Sequence, residues 1–280
     1  MAIRIVIDST SDVTREIIEK NNLVMVPLTV NFENKSYLDK IELSTEVFFE
    51  KLAAAEKLPT TSQVSPGTFV EAFSEILIKG DEVLGIFLAS EFSGTYESAR
   101  MAKDMIGSDK IHIIDSRSVC LGTFSLILEA IELVNQNKNI DEIVEILEDI
   151  KNKIVAVAGL DTLKYLEKGG RLSKGQAVMG SILDIKPIIG IKDGKLTVID
   201  KIRGKNKTIK WFDNWIEENK FDLTNKTVLL FHARSYDQLK SLREAIEEKY
   251  KIKNIIEAEI GPVIGTHAGP GVLAIGFLNK

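Results

Sequence analysis

Short apolar runs alternate with amphipathic segments along the first half of the chain. Four of these runs have the length of buried parallel strands and predict strands at residues 3–7, 23–30, 83–89 and 111–114. Helix signals lie between them. Ser44 and Ser65 are candidate N-caps, and Pro66 occupies the first helical position after Ser65. This alternation predicts an open, mostly parallel α/β sheet whose ligands bind at the carboxyl ends of the strands.

The second half has a different pattern. An Asp193-Gly194 pair joins two apolar segments at residues 186–191 and 195–202, which predicts an antiparallel hairpin. We therefore predict an α/β protein of two domains. An N-terminal open, mostly parallel α/β domain covers residues 1–153, a C-terminal α+β domain with a partly antiparallel sheet covers residues 154–280, and the ligand lies between them.

Composition narrows the function classes. The 280 residues are 44% hydrophobic, which is enough for a full core, and a net charge of −5 argues against a nucleic-acid partner. The one cysteine, Cys120, excludes an internal disulfide framework and a cysteine-based zinc cluster. Its apolar neighbours predict a buried thiol.

No targeting or membrane segment is evident in the sequence. The first residues look like a strand and lack the apolar core and cleavage site of a signal peptide. No apolar run approaches the roughly 20 residues needed to cross a bilayer. We expect a cytoplasmic protein without an integral membrane segment.

Hydroxyl-bearing residues precede two predicted helices. Thr61 and Ser62 come before the helix capped by Ser65, and Ser93 and Gly94 link the strand at 83–89 to the next helix. Helix N-termini favour anions, so both segments are candidate anion sites. Simple capping of the local backbone is the alternative for each.

The segment 261–271 places His267 among four glycines and two prolines. Glycine lets the main chain approach a ligand closely, and a titratable side chain on such a loop indicates a binding site. An apolar run at 272–277 follows and predicts a buried strand that anchors the loop.

Two arginines are candidates for phosphate recognition. Arg171 follows Gly169-Gly170, and Arg203 lies in the basic segment 201–207. An arginine pair can bind phosphate bidentately, although the basic segment could also be a solvated turn. The glycine-rich nucleotide-binding loops are missing from the sequence, and the three histidines show no metal-ligand spacing. We therefore predict no cofactor and no metal.

Two other functions stay open at this stage. Ser93 could be a hydrolase nucleophile with His267 as its base, acting on a lipid or acyl ester, although the glycine expected two residues before the serine is missing. The two helix N-termini could instead form a small anion-binding or nucleotide-binding module.

Taken together, the motifs resemble the DegV family of bacterial fatty-acid-binding proteins. The resemblance covers essentially the full length and follows the family order. The matching segments are 8–12, 61–63 with 65–67, 93–96 with 98–99, 115–116, 163–173, 186–187 and 260–271.

The resemblance implies a two-domain protein that holds one long-chain fatty acid in a buried tunnel. It places the carboxylate at Thr61, Ser62, Ser93, the Gly94 amide and His267. It further implies that a separate ATP-dependent fatty acid kinase phosphorylates the carboxylate, with an acyltransferase as an additional partner. Arg171 and Arg203 would face the kinase or the phosphorylated head group, and no catalytic residue is implied. One departure is Ala268, where the family motif usually has threonine.

Overall fold

The structure, a computed structural model, describes residues 2–33, 35–172, 185–192, 194–204 and 207–280. Asp193 of the predicted hairpin turn, Lys205 of the basic segment and Ser173 of the family motif lie outside the described residues. The described strands are β1 Ile3–Asp8, β2 Val24–Val26, β3 Thr29–Phe32, β4 Lys35–Leu38, β5 Thr60–Ser62, β6 Glu82–Phe87, β7 Ile111–Asp115, β8 Ile154–Gly159, β9 Ile185–Lys192, β10 Lys195–Arg203, β11 Thr227–Ala233, β12 Asn254–Glu259 and β13 Val272–Leu278. The described α-helices are α1 Arg15–Lys20, α2 Thr45–Ala54, α3 Pro66–Ile78, α4 Thr95–Ile106, α5 Leu121–Asn135, α6 Ile140–Ile150, α7 Lys164–Lys168, α8 Lys207–Glu218, α9 Tyr236–Lys249 and α10 Pro262–Ala268.

The first sheet is parallel throughout, in the order β2-β1-β6-β7. Its central strands are buried on both faces, as continuous apolar runs predict. The helix caps follow the sequence signals. Ser44 accepts a hydrogen bond from the Val47 amide, and Ser65 accepts one from the Thr68 amide with Pro66 in the first turn.

The predicted strand at 23–30 is wrong as a single element. The chain forms β2 in the first sheet and then β3 in a separate antiparallel sheet of order β4-β3-β5. Pro27 lies between the two strands and has no amide hydrogen for a ladder, so the apolar run is interrupted there.

The second large sheet has the order β10-β9-β8-β13-β11-β12. The pair β11 and β12 is parallel, and the other neighbours are antiparallel, including the predicted hairpin of β9 and β10. The prediction of an α/β class with a parallel first sheet and a partly antiparallel second sheet is therefore confirmed.

Helix α5 lies between the two large sheets. It packs against β1 and β6 of the first and against β8, β11 and β13 of the second. Ten of its residues are buried, which explains why its sequence is apolar on nearly all sides. Both sheets thus contribute to one continuous core around this helix. No helix among the described residues is long and apolar enough to cross a membrane.

Candidate functional site

A cavity of about 410 Å³ lies between the two large sheets. This volume is within the range of pockets that bind small molecules. Its polar wall includes Thr61, Ser93 and His267, while β8 and β9 supply an apolar wall. The residues predicted from both halves of the chain therefore meet at one cavity.

The strand register shows how the apolar wall extends. Ala158 is one residue from the end of β8, and it pairs with Ala274 of β13 and with Ile189 of β9. Ala156 lies one strand period deeper and pairs with Gly276. Both alanines line the cavity, as do Ile191, Leu196 and Leu121 at the deeper level. The small side chains on this face of β8 leave room for an elongated apolar ligand.

Helix α10 carries His267 in its last turn. The sequence predicted segment 261–271 as a loop, but residues 262–268 are helical, with Gly261 as the N-cap and Pro262 in the first turn. Proline fits the first helical turn because its missing amide hydrogen has no partner there. The helix brings His267 Nε2 to 2.8 Å from the Thr61 hydroxyl of β5.

Gly169 gives this imidazole the space that it occupies. A Cβ atom at this position would lie 2.3 Å from His267 Nδ1, so no other residue fits without moving the ring. Gly269 ends α10 with φ at +75°, and a Cβ there would meet the Tyr165 ring at 2.3 Å. The glycines of both motifs therefore serve close packing around His267.

The electrostatic environment keeps His267 neutral. Burial lowers its pKa to about 4, and the positive charge of Arg171 lowers it as well. When the Thr61 hydroxyl donates to Nε2, the neutral ring carries its proton on Nδ1. Nδ1 is buried and has no hydrogen-bond partner among the described residues. Because a Cβ atom at Gly169 would lie 2.3 Å from Nδ1, this nitrogen faces the Gly169 backbone, and Nε2 is the ring nitrogen that meets the Thr61 hydroxyl.

Ser93 lies at the start of α4. Its hydroxyl accepts a hydrogen bond of 3.2 Å from the Thr95 amide and lies 3.0 Å from the Thr95 hydroxyl. Gly94 follows as the N-cap, and both residues line the cavity. The hydroxyl of Ser93 is engaged with Thr95, and that of Thr61 with His267. This arrangement does not supply the serine–histidine hydrogen bond that a hydrolase needs.

Two polar residues that the sequence analysis missed hold these segments in place. Gln63 Nε2 donates to the Gly94 carbonyl at 3.3 Å and to the Ser98 hydroxyl at 2.8 Å. Asp8, at the end of β1, accepts from the Leu88 amide at 2.8 Å. Both residues stand in the quoted motifs, but local sequence does not show contacts that span 31 or 80 positions.

Of the remaining predicted residues, Arg171, Ser62 and Ala268 line the cavity and Arg203 does not. Arg171 lines the cavity and donates to the carbonyls of Gly169 and Phe92, at 2.6 and 3.3 Å. Ser62 also lines the cavity, but its hydroxyl accepts from Asn31 on the exposed face of the small sheet. Arg203 is exposed at the end of β10 and is not part of the cavity wall. Ala268 lines the cavity next to His267.

Comparisons with known structures give the same architecture. The structure of a DegV family protein from Thermus thermophilus, described as fatty acid binding, has a TM-score of 0.93 at 26% identity, with 100% of both chains covered. DegV from Bacillus subtilis, described as a fatty acid binding protein, has a TM-score of 0.89 at 33% identity, again with 100% of both chains covered.

Sequence comparisons identify the family. A DegV domain-containing protein of Caldanaerobacter subterraneus is 38% identical over 278 residues, which is 99% of each chain. Another, from Clostridium acetobutylicum, is 37% identical over 279 residues and also covers 99% of each chain. The DegV family model matches residues 2–280. The resemblance stated from the motifs is thus confirmed, and this protein belongs to the DegV family.

Proposed function

We propose that this protein binds one long-chain fatty acid in the cavity between its two sheets. The observation that carries the proposal is the pairing of an apolar wall with a polar end that includes Ser93 and the hydrogen-bonded pair of Thr61 and His267. The fatty-acid-binding relatives of the same fold support it. The ligand would lie between an N-terminal domain of residues 1–153 and a C-terminal domain of residues 154–280.

The physical chemistry of the cavity suits such a ligand. Burial of about fifteen methylenes at ~0.8 kcal/mol each contributes on the order of 12 kcal/mol before the costs of binding. The chain therefore provides the affinity, and the head group needs donors more than a strong ion pair. We propose that Thr61, Ser93, the Gly94 amide and His267 form the polar end around the carboxylate, with Ser62 beside them.

Gently purified protein should carry a bound acyl chain. Native mass spectrometry is expected to show one fatty acid per polypeptide, and lipid extraction followed by fatty-acid analysis should identify it. The apolar wall predicts this occupancy because an empty cavity of that size exposes apolar surface to water. A bare polypeptide mass together with no uptake of added hexadecanoic acid would contradict the proposal.

We further propose that the protein presents the carboxylate to a separate ATP-dependent fatty acid kinase, and that the acyl-phosphate then passes to an acyltransferase in the cytoplasm. The donors at the polar end support this role. Hydroxyls and a neutral imidazole bind a carboxylate without a buried lysine ion pair, so the carboxylate stays accessible to a kinase. Arg171 at the cavity and the exposed Arg203 are the candidate contacts for the kinase or the acyl-phosphate.

Replacement of Arg203 should weaken the use of this protein by the kinase without changing fatty-acid affinity. For Arg203→Ala we expect kcat/KM for acyl-phosphate formation to fall about fivefold, because one rim charge contributes roughly 1 kcal/mol. The assay uses the loaded protein, labelled ATP and the ATP-binding kinase subunit. Arg100→Ala, another exposed arginine, is the matched control. Equal kinetics for both variants would remove Arg203 from the contact surface.

A further inference from the structure

A buried charged cluster lies beside the cavity. We name it the Asp12 cluster, and it consists of Asp12, Lys40, Cys120 and the Gly261 amide. Asp12 is 2% exposed, and its carboxylate receives three donors. Lys40 Nζ lies 2.5 Å and the Gly261 amide 3.0 Å from Oδ1, while the Cys120 thiol donates to Oδ2 at 3.1 Å. The proposed function uses none of these contacts.

The cluster joins two parts of the candidate site. Cys120 lines the cavity just before α5 begins. Gly261 is the N-cap of α10, and His267 lies in the last turn of that seven-residue helix. A shift of the helix start therefore passes directly to the imidazole, because the helix has fewer than two full turns to absorb it.

The backbone at Gly261 is tightly packed against the side chains of Lys40 and Asp12. A Cβ atom there would meet Lys40 Cε at 2.4 Å and Asp12 Oδ1 at 2.7 Å. Asp39, which is 1% exposed, adds a second carboxylate, and neither of its oxygens has a hydrogen-bond partner among the described residues. Burial raises the pKa of Asp39 to about 7, and the charge of Lys40 opposes that rise. Lys40 is thus the cation that faces both carboxylates.

We propose that Asp12 is a positioning residue for His267, acting through the Gly261 amide at the start of α10. This inference rests on the proposed function, since it assumes that His267 donates to the ligand carboxylate. The pair with Lys40 makes the anchor rigid: a carboxylate held by a cation, a thiol and an amide has little freedom to move.

The test separates head-group binding from chain binding. Affinities for hexadecanoic acid and for hexadecanol are measured by displacement of a fluorescent fatty acid. The main variant is Asp12→Ala with Lys40→Met, which removes the acceptor for the Gly261 amide and both charges of the ion pair together. Without Lys40 the pKa of Asp39 rises further, so that buried carboxyl is protonated. We expect its affinity for the acid to fall about tenfold, while affinity for the alcohol changes less than about twofold.

A matched control is available at Asp81. Its carboxylate also accepts from a backbone amide, that of Ala2, and from a cation, Arg4, but it lies outside the cavity wall. Asp81→Ala should leave the ratio of acid to alcohol affinity unchanged. Proton NMR of the His267 ring supplies a second readout, because a repositioned imidazole changes its chemical shift and its titration, whereas a general loss of stability does not.

Several outcomes overturn the proposal. The proposal is overturned if the double variant keeps both the acid-to-alcohol affinity ratio and the His267 NMR signal of the wild type. It is also overturned if the double variant loses affinity equally for the acid and the alcohol. If the double variant does not fold, Asp12→Ala alone is tested, and failure of both to fold assigns the pair a general structural role instead. If the wild-type protein binds neither ligand, the proposed function itself fails. If the wild type prefers the acid and the Asp12 variants keep that preference unchanged, this inference alone fails.

Discussion

Ala156→Phe should lower the affinity for octadecanoic acid about a hundredfold and leave that for decanoic acid within about threefold. Ala156 lies on the cavity face of β8, one strand period beyond Ala158 and farther from the His267 end. A phenyl ring there would occupy the deep part of the cavity. Exclusion of about four methylenes at ~0.8 kcal/mol each removes roughly 3 kcal/mol of binding free energy, which corresponds to this factor.

The measurement is a series of dissociation constants for saturated fatty acids of increasing length. Ala53→Phe, at an exposed alanine of α2, is the matched control and should bind all chains as the wild type does. Thermal unfolding of the empty variants checks that the fold is intact. A uniform loss across all chain lengths would mean that the ring disturbs the fold, and no loss at all would place the chain elsewhere.

His267→Leu should lower the affinity for hexadecanoic acid between about tenfold and a hundredfold and leave that for hexadecanol nearly unchanged. The desolvated carboxylate loses a donor, and an unmet hydrogen bond to a buried charged group costs about 1–3 kcal/mol. The long-chain alcohol has no charge to satisfy and therefore depends on the apolar wall alone.

Two further variants make this experiment specific. Thr61→Val removes the hydroxyl that bonds His267 Nε2 and should give a smaller loss of the same kind, because the ring keeps its place beside Gly169 but loses its hydrogen bond at Nε2. His112→Leu, in β7 and outside the cavity wall, is the control. Equal losses for the acid and the alcohol would contradict the role assigned to His267.

Much of the fold could be predicted because its signals are local. Caps such as Ser65-Pro66 and the runs that became β1, β6 and β7 need only a few neighbouring residues to be recognised. The prediction of one strand at residues 23–30 was wrong because it followed the apolar residues of this segment and ignored the break at Pro27. Segment 261–271 was predicted as a loop because glycine and proline usually mark loops. Here Gly261 and Pro262 begin a short helix and Gly269 ends it.

The grouping of the candidate site residues was predicted from the family resemblance and not from the local sequence. Thr61 and His267 stand 206 positions apart, and no property of either segment indicates that their side chains meet. The segment around Thr61 also forms a strand, so Thr61 and Ser62 point to opposite faces. The strand period explains why one hydroxyl contacts His267 while the other bonds Asn31.

The placement of the cavity between two sheets has a consequence for unfolding. A ligand in this cavity touches residues of both sheets, so its binding energy is gained only while both remain folded. Occupancy would therefore add to the coupling between the two halves of the core, which in the empty protein rests on α5, the surrounding apolar contacts and hydrogen bonds such as that of Thr61 with His267. A bound acyl chain would act in this respect as a removable part of the core, and its release would weaken the contact between the two sheets.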